Sequence, residues 1–392
     1  MEFKIHFSAR AHTYTKEEED AVLEAMRNAN PLTQGQNLHE FEAKVCRYIG
    51  GRHAFGVCNA TAALELAAQL CCFDKGDEVV IPSHTFTSSA YPFAKSGARI
   101  VWADIDPHKR VVTAQTIADK VTSKTKAVVV AHLYGYGADM AEIMEMAKRH
   151  NFLVIEDAAQ ALGVEVEGKM AGAYGDFGVL SFHSHKNIST LGEGGALMVR
   201  DKELAALVPG LRHNGHCSFL AKRNDYWIPA MGNVDFPQIN GRVFWPNNYC
   251  IGEVECALGL KLLDRINVIN QKKRERAIRF IDALADFPEL EFHRVPSSRH
   301  NYHLLAAKLT NGKRDEFIRR MAGDKKIQCV VQYYPLNRYP LYQTAGFGDA
   351  DCPNADNFFD NMVSFPFHHS LLDSDLDYIL QSTQDVLKEL RA

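Results

Sequence analysis

Short apolar runs and stretches of helical spacing take turns along the first half of the chain. "TKEEEDAVLEAMRNAN" (15–30) sets apolar positions at helical intervals behind an acidic start, and "LHEFEAKVCRYIG" repeats the pattern after a turn at "NPLTQG". Next, "HAFGVCN" precedes "ATAALELAAQLCCF", and "DEVVIPS" precedes "TFTSSAYPFAKSG". "RIVWADI" follows, "KAVVVAHLYG" precedes "DMAEIMEMAKRHN", and "FLVIEDAAQA" closes the series. Strand alternating with helix predicts right-handed crossovers and a mainly parallel sheet with helices on both faces, an α/β class. "FGVLSFH" and "GGALMV" leave little room for a helix between them, which predicts a hairpin-like or edge addition to that sheet.

Residues 212–249 are irregular and rich in Asn, Pro, Trp and His, and a loop that long is usually functional. "GEVECALGLKLLDRINVINQKKRERAIRFIDALAD" then reads as one long or broken helix. It leads into a mixture of strands ("YHLLAAKL", "IQCVVQYY") and helices ("DEFIRRMAG", "LDYILQSTQDVLKEL"). The 392 residues exceed what one small core can organise. The pattern divides them into an N-terminal segment (1–30), a large domain (31–260) and a smaller α+β C-terminal domain (261–392).

Composition narrows the function classes. The formal net charge is -4 with no long basic run, so nothing favours nucleic acid as a partner. No apolar stretch reaches the roughly 20 residues of a membrane span. "MEFKIHFSARAHTY" lacks the apolar core of a signal peptide, so the expected location is the cytoplasm. The nine cysteines are scattered and form no CxxC pair, which reads as reduced thiols and neither a disulfide frame nor a zinc site.

In open α/β sheets ligands gather at the carboxyl ends of the strands, so polar residues that end apolar runs are the candidates for chemistry. "VCNATAAL" ends a strand at Asn59 and opens a helix with Ala60, Thr61 and Ala62, where free N–H groups favour a phosphate; a plain helix cap is the simpler alternative. Phe86 in "SHTFTSS" lies beyond a strand end and suits stacking on a flat ring, or the core. Glu156 and Asp157 end a continuous apolar run, and a buried carboxylate needs a cation such as a protonated pyridine nitrogen, unless it merely caps a helix. Lys186, between an apolar strand and a Gly-rich turn in "SFHSHKNISTLGEGG", suits a Schiff-base lysine, although loop lysines are commonly solvated. His183 and His185 have metal-like spacing but no third ligand follows, so no metal is expected. The order of phosphate cradle, aromatic, aspartate and lysine matches pyridoxal 5'-phosphate as cofactor.

These segments resemble the DegT/DnrJ/StrS sugar aminotransferases, fold-type-I pyridoxal-phosphate enzymes. "NATAAL", "GDEVVIPSHTF", "VAHLYG", "IEDAAQALG", "SFHSHKN...GEGG", "WPNNYCIGEVECALGLKLL", "YYPL" and "SFPFHHSL" follow the family's order over nearly the whole chain. The resemblance implies a homodimer with shared active sites that moves an amino group from L-glutamate to a sugar carbonyl. It implies that Lys186 anchors the cofactor and shuttles the proton, Asp157 keeps the pyridine nitrogen protonated, and Gln160 contacts the phenolic oxygen. Phe86 would stack on the ring, while Ala60, Thr61, Ala62 and Ser181 would bind the phosphate, joined by Asn248 from the neighbouring subunit.

Two segments depart from the family. Ser184 and His185 replace a proline and a small hydroxyl residue before the lysine, which makes His185 a candidate substrate contact. Cys250 stands where the family usually has an arginine for a carboxylate, so Arg212, Arg242 and Arg338, with His213, His216 and His300, form the pool of replacements. That cationic loop suggests an acidic acceptor, the best-fitting being 8-oxo-3-deoxy-manno-octulosonate for lipopolysaccharide; a nucleotide-linked 3- or 4-ketosugar is the broader expectation. A dehydratase relative with histidine in the lysine position and an inactive sugar-binding or regulatory homologue are the rivals. A nicotinamide enzyme is disfavoured because "YGYGADM" only partly matches GxGxxG and comes mid-chain.

Overall fold

The computed structural model describes residues 2–7, 13–216, 241–293 and 295–391. Helix α1 (Lys16–Asn28) starts at a capping box: the Thr15 hydroxyl accepts from Glu18 N–H at 3.3 Å, and the Glu18 carboxylate accepts from Thr15 N–H at 2.8 Å. Helix α2 (Gln36–Ile49) has no such cap, because Gly35 precedes it. Its cap comes from far along the chain. The buried Glu253 carboxylate accepts from Gly35 N–H and Asn37 N–H at 2.8 Å and from Leu38 N–H at 3.2 Å. Glu253→Gln removes the charge that three donors converge on, so thermal or denaturant unfolding should show a loss of about 2 kcal/mol.

Strand β1 (His53–Val57) leads into α3 (Ala60–Leu70), β2 (Glu78–Pro82), α4 (Tyr91–Lys95) and β3 (Arg99–Ala103). Then come α5 (Ala114–Ala118), β4 (Thr125–Ala131), α6 (Met140–His150) and β5 (Leu153–Asp157). A small hairpin, β6 (Glu165–Val166) with β7 (Lys169–Met170), precedes β8 (Phe177–Ser181), β9 (Gly195–Val199) and α7 (Lys202–Arg212). The sheet order is β1-β9-β8-β5-β4-β2-β3, with every neighbouring pair parallel except those that include β9. β2 and β8 are buried at every position, as strands covered on both faces must be.

The mainly parallel α/β sheet agrees with the alternation in the sequence, but two local expectations change. β9 is antiparallel to β8, as a hairpin would be, yet it lies inside the sheet with β1 at the edge. Gly195 permits this: a side chain there would lie 2.5 Å from the backbone of Asn59 and 2.7 Å from Ala60 N. The helix expected in "TFTSSAYPFAKSG" is reduced to a 3₁₀ turn (Thr87–Ser89) and the short α4, whose first turn holds Pro92 and so restarts the helix there.

Beyond residue 241, α8 (Glu253–Asp282) is a single helix of 30 residues, followed by β10 (Leu290–Phe292), β11 (Leu305–Leu309) and α9 (Arg314–Gly323). The chain ends with α10 (Pro340–Thr344), α11 (Pro353–Asn361), β12 (Met362–Phe365) and α12 (Asp373–Arg391). β10, β11 and β12 form an antiparallel sheet. The strand expected at "IQCVVQYY" appears only as isolated bridges, Ile5 with Ile327 and Val330 with Ser364. α8 joins two hydrophobic cores, giving Leu258, Leu262 and Ile266 to the larger one and Ala277 and Phe280 to the smaller. Ile5 packs in the smaller core, whereas Leu336, Tyr342, Ala355 and Phe358 pack in the larger. Among the described residues no helix is long and apolar enough to cross a membrane.

Candidate active site

A cavity of about 640 Å³ opens at the carboxyl ends of the parallel strands. Its lining includes Asn59 and Ala60 after β1, Thr85 and Phe86 after β2, Ala131 of β4, Asp157 of β5 and Ser181 of β8. Because these strands are apolar and covered, only their ends can carry polar chemistry without cost.

One wall is built for an anion. The Asn59 side chain accepts from Ala62 N–H at 2.9 Å, and Ala63 N–H bonds the Asn59 carbonyl. The N–H groups of Ala60 and Thr61 have no acceptor among the described residues, at the positive end of the α3 dipole. Beside them are the hydroxyls of Thr61 and Ser88, 2.9 Å apart, and the buried Ser181. Ala62 does not line the cavity, and Asn59 already occupies its N–H.

The carboxylate pair at the end of β5 is divided by strand alternation. Glu156 points away from the cavity and accepts from the N–H groups of Gly172, Tyr174 and Gly175. It also meets His132 Nε2 at 2.9 Å; since His132 Nδ1 accepts from Ala138 N–H, Nε2 is the donor. Asp157 lines the cavity, accepting from Ser89 Oγ at 2.6 Å and from Ala159 N–H at 3.2 Å. Gln160 also lines it, held by Tyr134 N–H on Oε1 and by the Tyr333 hydroxyl, to which its Nε2 donates at 3.0 Å. Burial pushes that phenol up to about 12. Phe86 meets the Tyr333 ring edge-on with centroids 6.0 Å apart, and half of its surface is free.

Lys186 sits on the turn after β8 and lines the same cavity. Desolvation lowers its ammonium to about 8, while the Asp157 carboxylate pulls in the opposite direction. A neutral amine is the form that attacks a carbonyl. Uptake of pyridoxal phosphate by the cofactor-free protein should therefore accelerate as pH rises through about 8 and then level off, as stopped-flow absorbance would show. A rise that continues towards the ordinary lysine range, near pH 10, would contradict the placement.

The donor set fits pyridoxal phosphate: an anion-binding helix start with hydroxyls, a carboxylate at the opposite end, an exposed aromatic ring and a desolvated lysine in one cavity. Residues 13–384 match the model of the DegT/DnrJ/EryC1/StrS aminotransferase family. The chain belongs to this family. It is 32% identical over 382 residues to the spore coat polysaccharide biosynthesis protein SpsC of Bacillus subtilis, covering 95% of each chain. It is also 32% identical over 376 residues to the GDP-perosamine synthase of Caulobacter vibrioides, covering 94% of this chain and 95% of that one. Among solved structures, Helicobacter pylori PseC, an aminotransferase involved in the biosynthesis of pseudoaminic acid, superposes with a TM-score of 0.87. It shares 25% identity and covers 99% of this chain and 100% of its own. This DegT/DnrJ-type protein is thus a sugar aminotransferase of fold type I with pyridoxal 5'-phosphate as its cofactor.

In this aminotransferase the cavity brings together Ala60, Thr61, Phe86, Asp157, Gln160, Ser181, His185 and Lys186. Every arginine in the candidate pool lies outside it. Arg212 is buried and bonds Glu42, the Gly56 carbonyl and Gln34. Arg242 bonds Asp74 and the Phe73 carbonyl, and Arg338 is shared between Asp356 and Asp360. His300 stacks on Tyr302 at 4.0 Å and accepts from Tyr302 N–H, away from the cavity. His213 and His216 stack on each other at 4.4 Å beyond α7, where His213 forms a bridge with the exposed Asn248. The Cys250 thiol points to the Arg212 carbonyl at 3.5 Å. Of the irregular stretch from 212 to 249, residues 217–240 lie outside the described residues.

Several lining residues escaped the sequence reading: Ser88, Tyr333, Asn187, Lys273 and His303. Tyr333 and His368 do fall within the "YYPL" and "SFPFHHSL" segments. Lys273, by contrast, lies in "QKKRERA", which looks like a solvated helix face.

Proposed function

We propose that this aminotransferase takes its amino group from L-glutamate and delivers it to the carbonyl of a nucleotide-linked ketosugar in the cytoplasm, working as a homodimer. The observation that carries the reading is the desolvated Lys186 facing Asp157 within one cavity. Bound pyridoxal phosphate supplies an electron sink for the carbanion next to the transferred nitrogen. The residues do the rest. Lys186 removes the proton from the α-carbon of glutamate and later returns one to the sugar carbon. Asp157 holds a proton at the ring nitrogen, and the α3 start with Thr61, Ser88 and Ser181 holds the phosphate. Asn248 is exposed beside the exposed Trp245, which suits a reach into a second subunit's cavity.

The nucleotide-linked acceptor is supported by the Caulobacter relative, which is named for a GDP-linked product. A second reading has its own support. Lys273 lines the cavity with no carboxylate partner among the described residues, which favours an acidic acceptor such as 8-oxo-3-deoxy-manno-octulosonate of lipopolysaccharide. The test is the visible spectrum of the purified protein before and after L-glutamate, with assay of 2-oxoglutarate, followed by nucleotide-linked and acidic acceptors. A colourless protein that ignores glutamate defeats the proposal and favours an inactive homologue.

A further inference from the structure

Lysine is seldom buried without a carboxylate, yet Lys273 on α8 is 3% exposed and lines the cavity. Its Nζ donates to Asn187 Oδ1 and to the His303 carbonyl, each at 3.0 Å. Both acceptors are neutral. Among the described residues no carboxylate lies within ion-pair distance of it, and the Phe367 ring centroid is 5.5 Å away. Burial lowers this ammonium to about 7, and its protonated form has three N–H donors, so one donor and the charge find no partner among the described residues; a bound carboxylate would supply both.

The group is also held rigidly. Asn187 donates to Asn270 Oδ1 at 2.8 Å, and Asn270 in turn donates to the Leu162 carbonyl at 2.9 Å. Because Asn187 directly follows Lys186, this chain of amides ties Lys273 to the segment that carries Lys186. The acids that line the cavity are otherwise engaged: Asp157 by Ser89, and Glu193, mostly exposed, with His183 at 3.7 Å. No arginine is among the described lining residues.

We propose that Lys273 is the contact for a substrate carboxylate. Resting on the transaminase reading above, it makes this lysine a specificity determinant of the same cavity. The carboxylate belongs either to the amino donor or to a carboxylated sugar, and the same measurement separates the two. In the holoenzyme, Lys273→Met keeps the apolar stem and removes the charge. With glutamate as the source, glutarate binding by calorimetry should weaken about 10- to 100-fold and KM for glutamate rise in parallel, with kcat little changed. With the acceptor as the source, both remain as in the unaltered enzyme, while KM for a carboxylated sugar rises by that factor and that for an uncharged one does not. If none of these constants moves in a variant with the normal cofactor spectrum and Tm, the proposal is overturned. Lys273→Gln serves if the Met variant does not fold. An unaltered enzyme that releases no 2-oxoglutarate from glutamate instead defeats the proposed donor; glutarate calorimetry still tests Lys273.

Discussion

Lys186→Ala should reduce transamination by about ten-thousandfold or more, the scale at which a positioned acid–base group acts. The reason is double. The side chain is an amine that the fold desolvates with Asp157 in the same cavity, and both proton transfers are assigned to it. Alanine leaves the strand, the α3 start, Ser181 and Asp157 in place, so the variant should fold with an unchanged Tm and still bind pyridoxal phosphate without a covalent link. Single-turnover release of 2-oxoglutarate is the decisive measurement. A normal rate would remove Lys186 from the mechanism and assign both proton transfers to another group.

Asp157→Asn is the second large effect, with an expected loss of about a thousandfold in kcat, or about 4 kcal/mol of activation free energy. The substitution is nearly isosteric. An asparagine oxygen can still accept from Ala159 N–H or from Ser89, so the wall of the cavity stays intact. What would disappear is the negative charge proposed to keep a proton on the ring nitrogen, and without that proton the carbanion would lose its sink. The loss should appear in both half-reactions and should leave KM comparatively unchanged. A fall confined to KM would show that Asp157 binds substrate instead.

The two residues were legible for the same reason. Continuous apolar runs such as "FLVI" and "FGVL" imply strands covered on both faces, and a covered strand can place polar groups only at its ends. Asp157 and Lys186 follow such runs, and Asn59 ends a third, so their convergence at one edge of a parallel sheet was implied by the alternation itself. Strand patterning alone could not separate Glu156 from Asp157, because both follow the run; only the family resemblance singled out Asp157. The choice depends on which face the N–H groups of Gly172, Tyr174 and Gly175 approach, and that is a contact between segments.

By itself, then, the chain determined the order of strands and helices, the edge where the chemistry lies and the family's arrangement of aspartate and lysine, because these depend on local periodicity and on neighbours in sequence. Only the tertiary structure decided how the charges are used. Arg212 meets Glu42, Arg338 meets Asp356 and Asp360, and Glu253 caps a helix that begins at Gln36. Lys273, on what looked like a solvated helix face, turns inward to Asn187 and His303. Burial and pairing between distant segments set whether a charge is satisfied or left facing a ligand, and no spacing along the chain carries that information.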